Sequence, residues 1–265
     1  MSILNNILEK KRAAIAKTKE KFSLSELKKA LFEEGFGQSD FLKSLKEKEA
    51  NIRIIAEIKK ASPSEGDILD SDASIIEIAR LYELNGAAAI SVLTEKDFFK
   101  GETEDLVNIK KSTTLPVLRK DFIIDEYQIY ESKYFKADAV LLIAKILSLE
   151  ELDLLNDVAC NLEMDVLFEI HDQDDLNKVL ELTPQMIGVN NRNLSTLETD
   201  IEISTHLLPE IPEEIFKISE SAIKNYKDIL YLKSLGADAF LIGESILTSP
   251  DSAEKIRSLL GYGQD

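Results

Sequence analysis

Cysteine occurs once in the 265 residues, as Cys160, so no disulfide can close within the chain. The two histidines, His171 and His206, lack each other's company and any metal-ligand spacing. His171 reads as a loop residue or as support for a neighbour; Cys160, in a helical stretch, reads as core. None of the ten glycines falls in a G-x-G-x-x-G or phosphate-loop pattern, so neither NAD nor ATP is expected. No apolar run approaches the roughly 20 residues of a membrane span. The opening Met1-Ser2-Ile3-Leu4-Asn5-Asn6-Ile7-Leu8-Glu9-Lys10 lacks the apolar core and cleavage site of a signal peptide. A reducing cytoplasm fits these features. Tryptophan is absent altogether, which excludes nothing.

Basic residues are also scarce: 32 against 49 acidic, a net charge of −17. Nucleic acid wants a basic face and is not an expected partner. An anionic substrate would require the few cations, or helix N-termini, to gather in one place.

What is present is an alternation. Apolar runs at Ile54–Lys59, Ala87–Thr94, Leu115–Phe122, Ala137–Ala144, Met164–Ile170, Met186–Asn191, Glu214–Ser221 and Ala239–Ser245 predict eight strands. Between them Ser74–Asn85, Glu126–Phe135, Leu149–Asn161, Gln173–Leu182 and Tyr226–Leu235 carry apolar residues at helical spacing. Eight strand–helix units predict an α/β fold, a closed (βα)8 TIM barrel over residues 54–260, ahead of an open doubly wound sheet. Residues 1–50 read as a helical N-terminal extension packed on it. Ser23 caps a helix that Gly35-Phe36-Gly37 ends. No linker or low-complexity segment interrupts the chain, and one domain is expected.

Strand interiors should be apolar, so the polar exceptions carry information. In the first run, Ile55, Glu57 and Lys59 share one face and Ile54, Ala56 and Ile58 the other. With the all-apolar face against helices, Glu57 and Lys59 point into the barrel. A buried ion pair and a catalytic acid–base pair explain this equally well. The remaining strands tip the balance. The third ends in Arg119-Lys120-Asp121-Phe122 and the fifth in Phe168-Glu169-Ile170-His171; the sixth carries Asn190 and Arg192. The seventh ends in Ser219-Glu220-Ser221 and the eighth in Gly243-Glu244-Ser245. Polar residues collect at the same end of strand after strand, where barrel active sites form.

These segments resemble a known family. Ile54-Ile55-Ala56-Glu57-Ile58-Lys59-Lys60-Ala61-Ser62-Pro63-Ser64 is similar to the signature of the indole-3-glycerol phosphate synthases. So are Ser91-Val92-Leu93-Thr94-Glu95 with Phe98-Phe99-Lys100-Gly101, and Pro116-Val117-Leu118-Arg119-Lys120-Asp121-Phe122. The likeness runs on through Ala139–Ala144, Ile187–Leu194, Ile218–Ser221 and Ile242–Ser245, in order, over nearly the whole chain.

The resemblance implies conversion of 1-(2-carboxyphenylamino)-1-deoxyribulose 5-phosphate into indole-3-glycerol phosphate, with loss of carbon dioxide and water. It makes Lys120 the general acid at the ketone oxygen and Glu57, Lys59 and Glu169 the other acid–base residues. It places Asn190 near the reacting centre and Arg192 by the anionic end of the substrate or its loop. Ser62, Glu220, Ser221, Ala222, Gly243 and Glu244 are implied on the substrate, and Phe99, Phe122, Leu141 and Leu194 around its ring. It implies no metal or cofactor, no nucleic-acid or membrane partner, a small anionic substrate, and a monomer. Two departures stand out: Ala222 replaces a common glycine and Glu102 a common serine. Both read as tolerated variation. A phosphoribosylanthranilate isomerase-like barrel would lack the Glu57, Lys59, Lys120, Glu169 set; a non-catalytic phosphate-binding barrel is the reading from outside enzymology.

Overall fold

The computed structural model describes residues 3–35, 37, 39–47, 50–70 and 72–263. Met1, Ser2 and Phe36, read above in the N-terminus and the helix stop, lie outside them.

Eight parallel strands close into a barrel in sequential order: β1 (Ile54–Ile58), β2 (Ala89–Leu93), β3 (Val117–Lys120), β4 (Ala139–Ile143), β5 (Asp165–Ile170), β6 (Met186–Asn190), β7 (Phe216–Glu220) and β8 (Ala239–Ile242). Closure is direct, because β1 pairs with both β2 and β8. The open doubly wound sheet is thereby excluded. A two-stranded ribbon, Ala61–Ser62 with Gly66–Asp67, follows β1.

Period-two alternation sorts each strand. Ile54, Ala56 and Ile58 of β1 join an outer core with Tyr82, Val92, Val140 and other residues under the helices. Ile55 joins Leu118, Leu141, Leu167, Ile218 and Leu241 inside the barrel. The helices between strands include α4 (Ile75–Leu84), α5 (Lys96–Phe99), α6 (Glu104–Lys110), α7 (Glu126–Tyr134), α8 (Leu149–Asn161) and α9 (Gln173–Leu180). Then come α10 (Glu202–Leu207), α11 (Tyr226–Ser234), α12 (Glu244–Leu247) and α13 (Ser252–Leu259). Caps set several starts: Ser74, Asp125, Ser148 and Asn225 each accept a backbone N–H of the first turn.

Among the described residues, the N-terminal segment forms three helices, α1 (Ile3–Lys21), α2 (Leu24–Glu34) and α3 (Phe41–Glu47). Ser23 and Glu26 form a capping box, and Gly35 at φ 73° ends α2. Phe41, Leu42 and Leu45 of α3 enter the interior cluster beside Ala89, Met186, Phe216 and Ala239, residues at strand starts. Helix α3 thus plugs the N-terminal end of the barrel, and Asp165 anchors it by accepting the Leu42 N–H at 3.0 Å. Helix α1 lies at the other end, where Lys11 pairs with buried Asp121 at 2.6 Å.

Cys160 is exposed, not core. The buried face of α8 is Leu152, Leu155 and Ala159, and Cys160 turns past it into solvent.

Candidate active site

Lys120 ends β3 on its inward face, one residue from the outward Arg119. Its Nζ donates to Glu220 Oε2 of β7 at 2.6 Å and lies 3.5 Å from Glu57 Oε2 and 3.7 Å from Glu169 Oε2. Lys59 Nζ approaches Glu57 Oε1 from the other side at 3.1 Å. Strand register assembles this cluster: Leu93 stands opposite Lys120, Ile143 opposite Glu169, and Asn190 opposite Glu220.

Two glycines make the space. A Cβ on Gly188 of β6 would sit 2.1 Å from Glu220 Oε1, and one on Gly243 would sit 2.5 Å from Glu57 Oε1. Any larger residue there would displace a carboxylate from the cluster.

Burial and charge split the acids. Burial pushes the Glu220 carboxyl up to about 7; Lys120 opposes this, while Glu169 and Glu57 reinforce it. Burial also works against ionised Glu57, but Lys59 and Lys120 outweigh it and hold that carboxyl below its ordinary range. Lys120 follows the same logic with opposite sign. Burial disfavours its charge, yet Glu220, Glu57 and Glu169 win and raise its pKa. The cluster therefore holds an ionised carboxylate beside one that keeps a proton near neutral pH, the separation from which acid and base roles are made.

Above it opens a cleft of about 550 Å³, mouth included, lined by Glu57, Lys59, Phe99, Lys120, Phe122, Leu141, Glu169, Asn190, Arg192, Leu194 and Ser221. Phe99 and Phe122 face each other there with ring centroids 6.3 Å apart. Ser62 borders the adjoining hollow with Leu4 and Ile7 of α1.

A second hollow lies beside Lys59, between the ends of β7 and β8, lined by Ser221, Ala222, Gly243 and Glu244 among others. Ser221 and Ala222 are both left-handed, at φ 65° and 62°. Ala222 thus takes the conformation that favours glycine. The Glu244 carboxylate is turned aside and held by Arg192 Nη2 at 2.7 Å. Arg192 is tied further to Leu197 O, and its backbone N–H donates to Asn190 Oδ1.

Every residue named above for catalysis or substrate lies at this end of the barrel, with one difference in grouping. Glu220, read with the substrate contacts, is the nearest partner of Lys120. Its place in Ser-Glu-Ser showed that it ends a strand, not which cation it meets. Arg119, counted among the strand-end polar residues, faces α7 instead, bonded to Ser132 Oγ, Gln128 O and Thr94 Oγ1. Asp121 borders the cleft, but its carboxylate is taken up by partners of its own. Its carboxylate takes Lys11, Thr94, Arg119 and the Phe122 N–H, and despite burial these hold its pKa down to about 2.

The family model for indole-3-glycerol phosphate synthase matches residues 4–259. The chain belongs to the indole-3-glycerol phosphate synthase family. A relative of that name from Aliarcobacter butzleri is 46% identical over 96% of this chain and 97% of its own. Another, from Campylobacter jejuni subsp. doylei, is 44% identical over 97% of this chain and all of its own. Among solved structures, 3-hexulose-6-phosphate synthase from Salmonella typhimurium superposes with a TM-score of 0.63 at 14% identity, covering 79% of this chain and 97% of that one. That likeness concerns the barrel alone. For a synthase of this family, the chain's polar cluster sits where the fold puts chemistry, at the C-terminal ends of the strands.

Proposed function

We propose that the chain catalyses ring closure, decarboxylation and dehydration of 1-(2-carboxyphenylamino)-1-deoxyribulose 5-phosphate to indole-3-glycerol phosphate, a step of tryptophan biosynthesis. The observation that carries this is a buried, charged lysine, ringed by three carboxylates, at the floor of a cleft with aromatic residues on its wall.

Ring closure forms a carbon–carbon bond at the substrate ketone, and its oxygen becomes an alkoxide. Lys120 meets that charge as a fixed ammonium and hands it a proton, since an alkoxide is a stronger base than an amine. The carboxylate at the attacking ring carbon then leaves as carbon dioxide, and its bonding electrons restore the aromatic ring. Dehydration follows: Lys59 protonates the departing hydroxyl, and ionised Glu57 beside it removes the proton. The acidic ring around Lys120 keeps it charged between turnovers.

Phe99, Phe122, Leu141 and Leu194 enclose the anthranilate ring. The phosphate sits between the β7 and β8 loops, on Ser221, Ala222, Gly243 and the Glu244 backbone, with Lys59 and Ser62 nearby. These are the gathered partners that an acidic protein needs for an anionic ligand. The enzyme works as a monomer in the cytoplasm, as one domain: a barrel of residues 54–260 with a helical N-terminal extension, residues 1–50. Its steps are acid–base and redox-neutral, so no cofactor has a part to supply.

The test is fluorescence. The product has an indole ring and the substrate does not, so indole emission should appear when enzyme and substrate are mixed. A silent enzyme that still binds the substrate phosphate would support a non-catalytic binding barrel instead.

A further inference from the structure

His171 follows β5 two residues after Glu169, and only 8% of its side chain is exposed. Its Nε2 lies 3.3 Å from Glu169 Oε1, and its Nδ1 lies 3.7 Å from Asp175 Oδ2. Among the described residues, neither ring nitrogen nor Glu169 Oε1 has a hydrogen-bond partner. A neutral imidazole carries one N–H and one lone pair. Whichever tautomer it took, the lone pair would face a carboxylate. Only the imidazolium presents a donor to both.

Charge around the lysines points the same way. Glu57, Glu169 and Glu220 face Lys59 and Lys120, so once Glu220 gives up its proton near pH 7 the carboxylates outnumber the lysines. A cation at His171 balances them. Asp175 is itself fixed, because its Oδ2 accepts the His171 backbone N–H at 3.1 Å and its own N–H donates to Asp172. Lys145 pairs with Asp172, and Lys178 stands 4.0 Å from Asp175, so the outer carboxylates have cations of their own.

We propose that His171 stands as an imidazolium between Glu169 and Asp175, and is a positioning residue that holds the Glu169 carboxylate in place beside Lys120. This rests on the synthase reading above for its catalytic consequence, but not for its charge state. Burial alone would lower the imidazole pKa; Asp175, Glu169 and Glu220 outweigh it and raise the value above that of free histidine.

The chain has two histidines, so ¹⁵N NMR of histidine-labelled protein resolves both, and His206→Gln, an exposed site, assigns them. Both His171 nitrogens should be protonated at pH 7, titrating above the ordinary value of about 6.5. Asp175→Asn should lower that titration. A neutral His171 ring at pH 7 would overturn the proposal. Steady-state kinetics supply the second arm. In His171→Asn and His171→Gln, kcat should fall with KM little changed, and the pH profile should lose the inflection that follows the His171 titration seen by NMR. Variants whose profiles superimpose on the wild type would refute the positioning role. A wild-type enzyme that forms no indole would overturn that role together with the synthase reading, while the NMR still decides the charge.

Discussion

At position 188 a glycine occupies the middle of a buried strand, where it forfeits packing and raises the entropic cost of folding. The reason is the Glu220 carboxylate, which fills the volume a side chain would take. Gly188→Ala should therefore push Glu220 away from Lys120. We expect a loss of about 1–3 kcal/mol in stability from overpacking and a clear fall in kcat. Thermal melts with steady-state kinetics check this; wild-type turnover would show that the Glu220–Lys120 contact is dispensable. Much of the cluster was legible at this scale, since Glu57, Lys59, Lys120 and Glu169 interrupt apolar strands at one end. Their pairing was not. Lys120 meets Glu220 across 100 positions, and Lys11 reaches Asp121 from helix α1, contacts that only the folded barrel with its extension creates.

Elements carry the residues to their places. Helix α5 is a single turn, held by Glu95, whose buried carboxylate accepts the N–H groups of Asp97, Phe98 and Phe99. The chain then turns back through Lys100, left-handed at φ 55°, and Gly101, where a Cβ would meet Leu93 O at 2.0 Å. Together they aim Phe99 into the cleft. Glu95→Ala removes the cap, at a cost of about 0.5–2 kcal/mol, and frees Phe99. KM should rise more than kcat falls, because an apolar wall binds ground state and transition state alike. Equal KM with reduced kcat would place Glu95 in the chemistry instead. Apolar runs revealed all eight strands but overran several ends, as in Leu115–Phe122 against Val117–Lys120, because residues beyond the ladder are still buried. Helix faces were harder. Cys160 adjoins the buried Ala159, and spacing alone did not show which of the two turns inward.

Across the whole molecule, the charge cluster makes stability depend on pH. A Glu220 carboxyl at about 7 in the folded chain exceeds its unfolded value of about 4.3. The folded state binds that proton more tightly, so this contribution is complete below pH ~4.3 and is lost as pH rises through ~7. Glu220→Gln keeps the shape without the titration. Between pH 5 and 8 the wild type should lose about 2–3 kcal/mol relative to this variant, as read from urea unfolding at the two pH values. Parallel curves would mean that Glu220 ionises at an ordinary pH. Asp121 has the opposite sign. Its depressed pKa adds stability above the ordinary carboxylate range, lost as pH falls from about 4 towards 2.

In the proposed mechanism the Lys120 ammonium acts on the transition state as an acid, beyond balancing buried carboxylates. Kinetics of Lys120→Ala and Lys120→Arg, with melting temperatures, separate these two roles. Alanine should leave substrate binding largely intact and cut turnover by at least the ~10²–10³ of a lost oxyanion donor. Arginine keeps the charge but is bulkier and too weak an acid to give up a proton, so it should recover stability without recovering turnover. Near-normal turnover in Lys120→Ala, or full rescue by arginine, would leave Lys120 a structural counter-charge with no part in the chemistry.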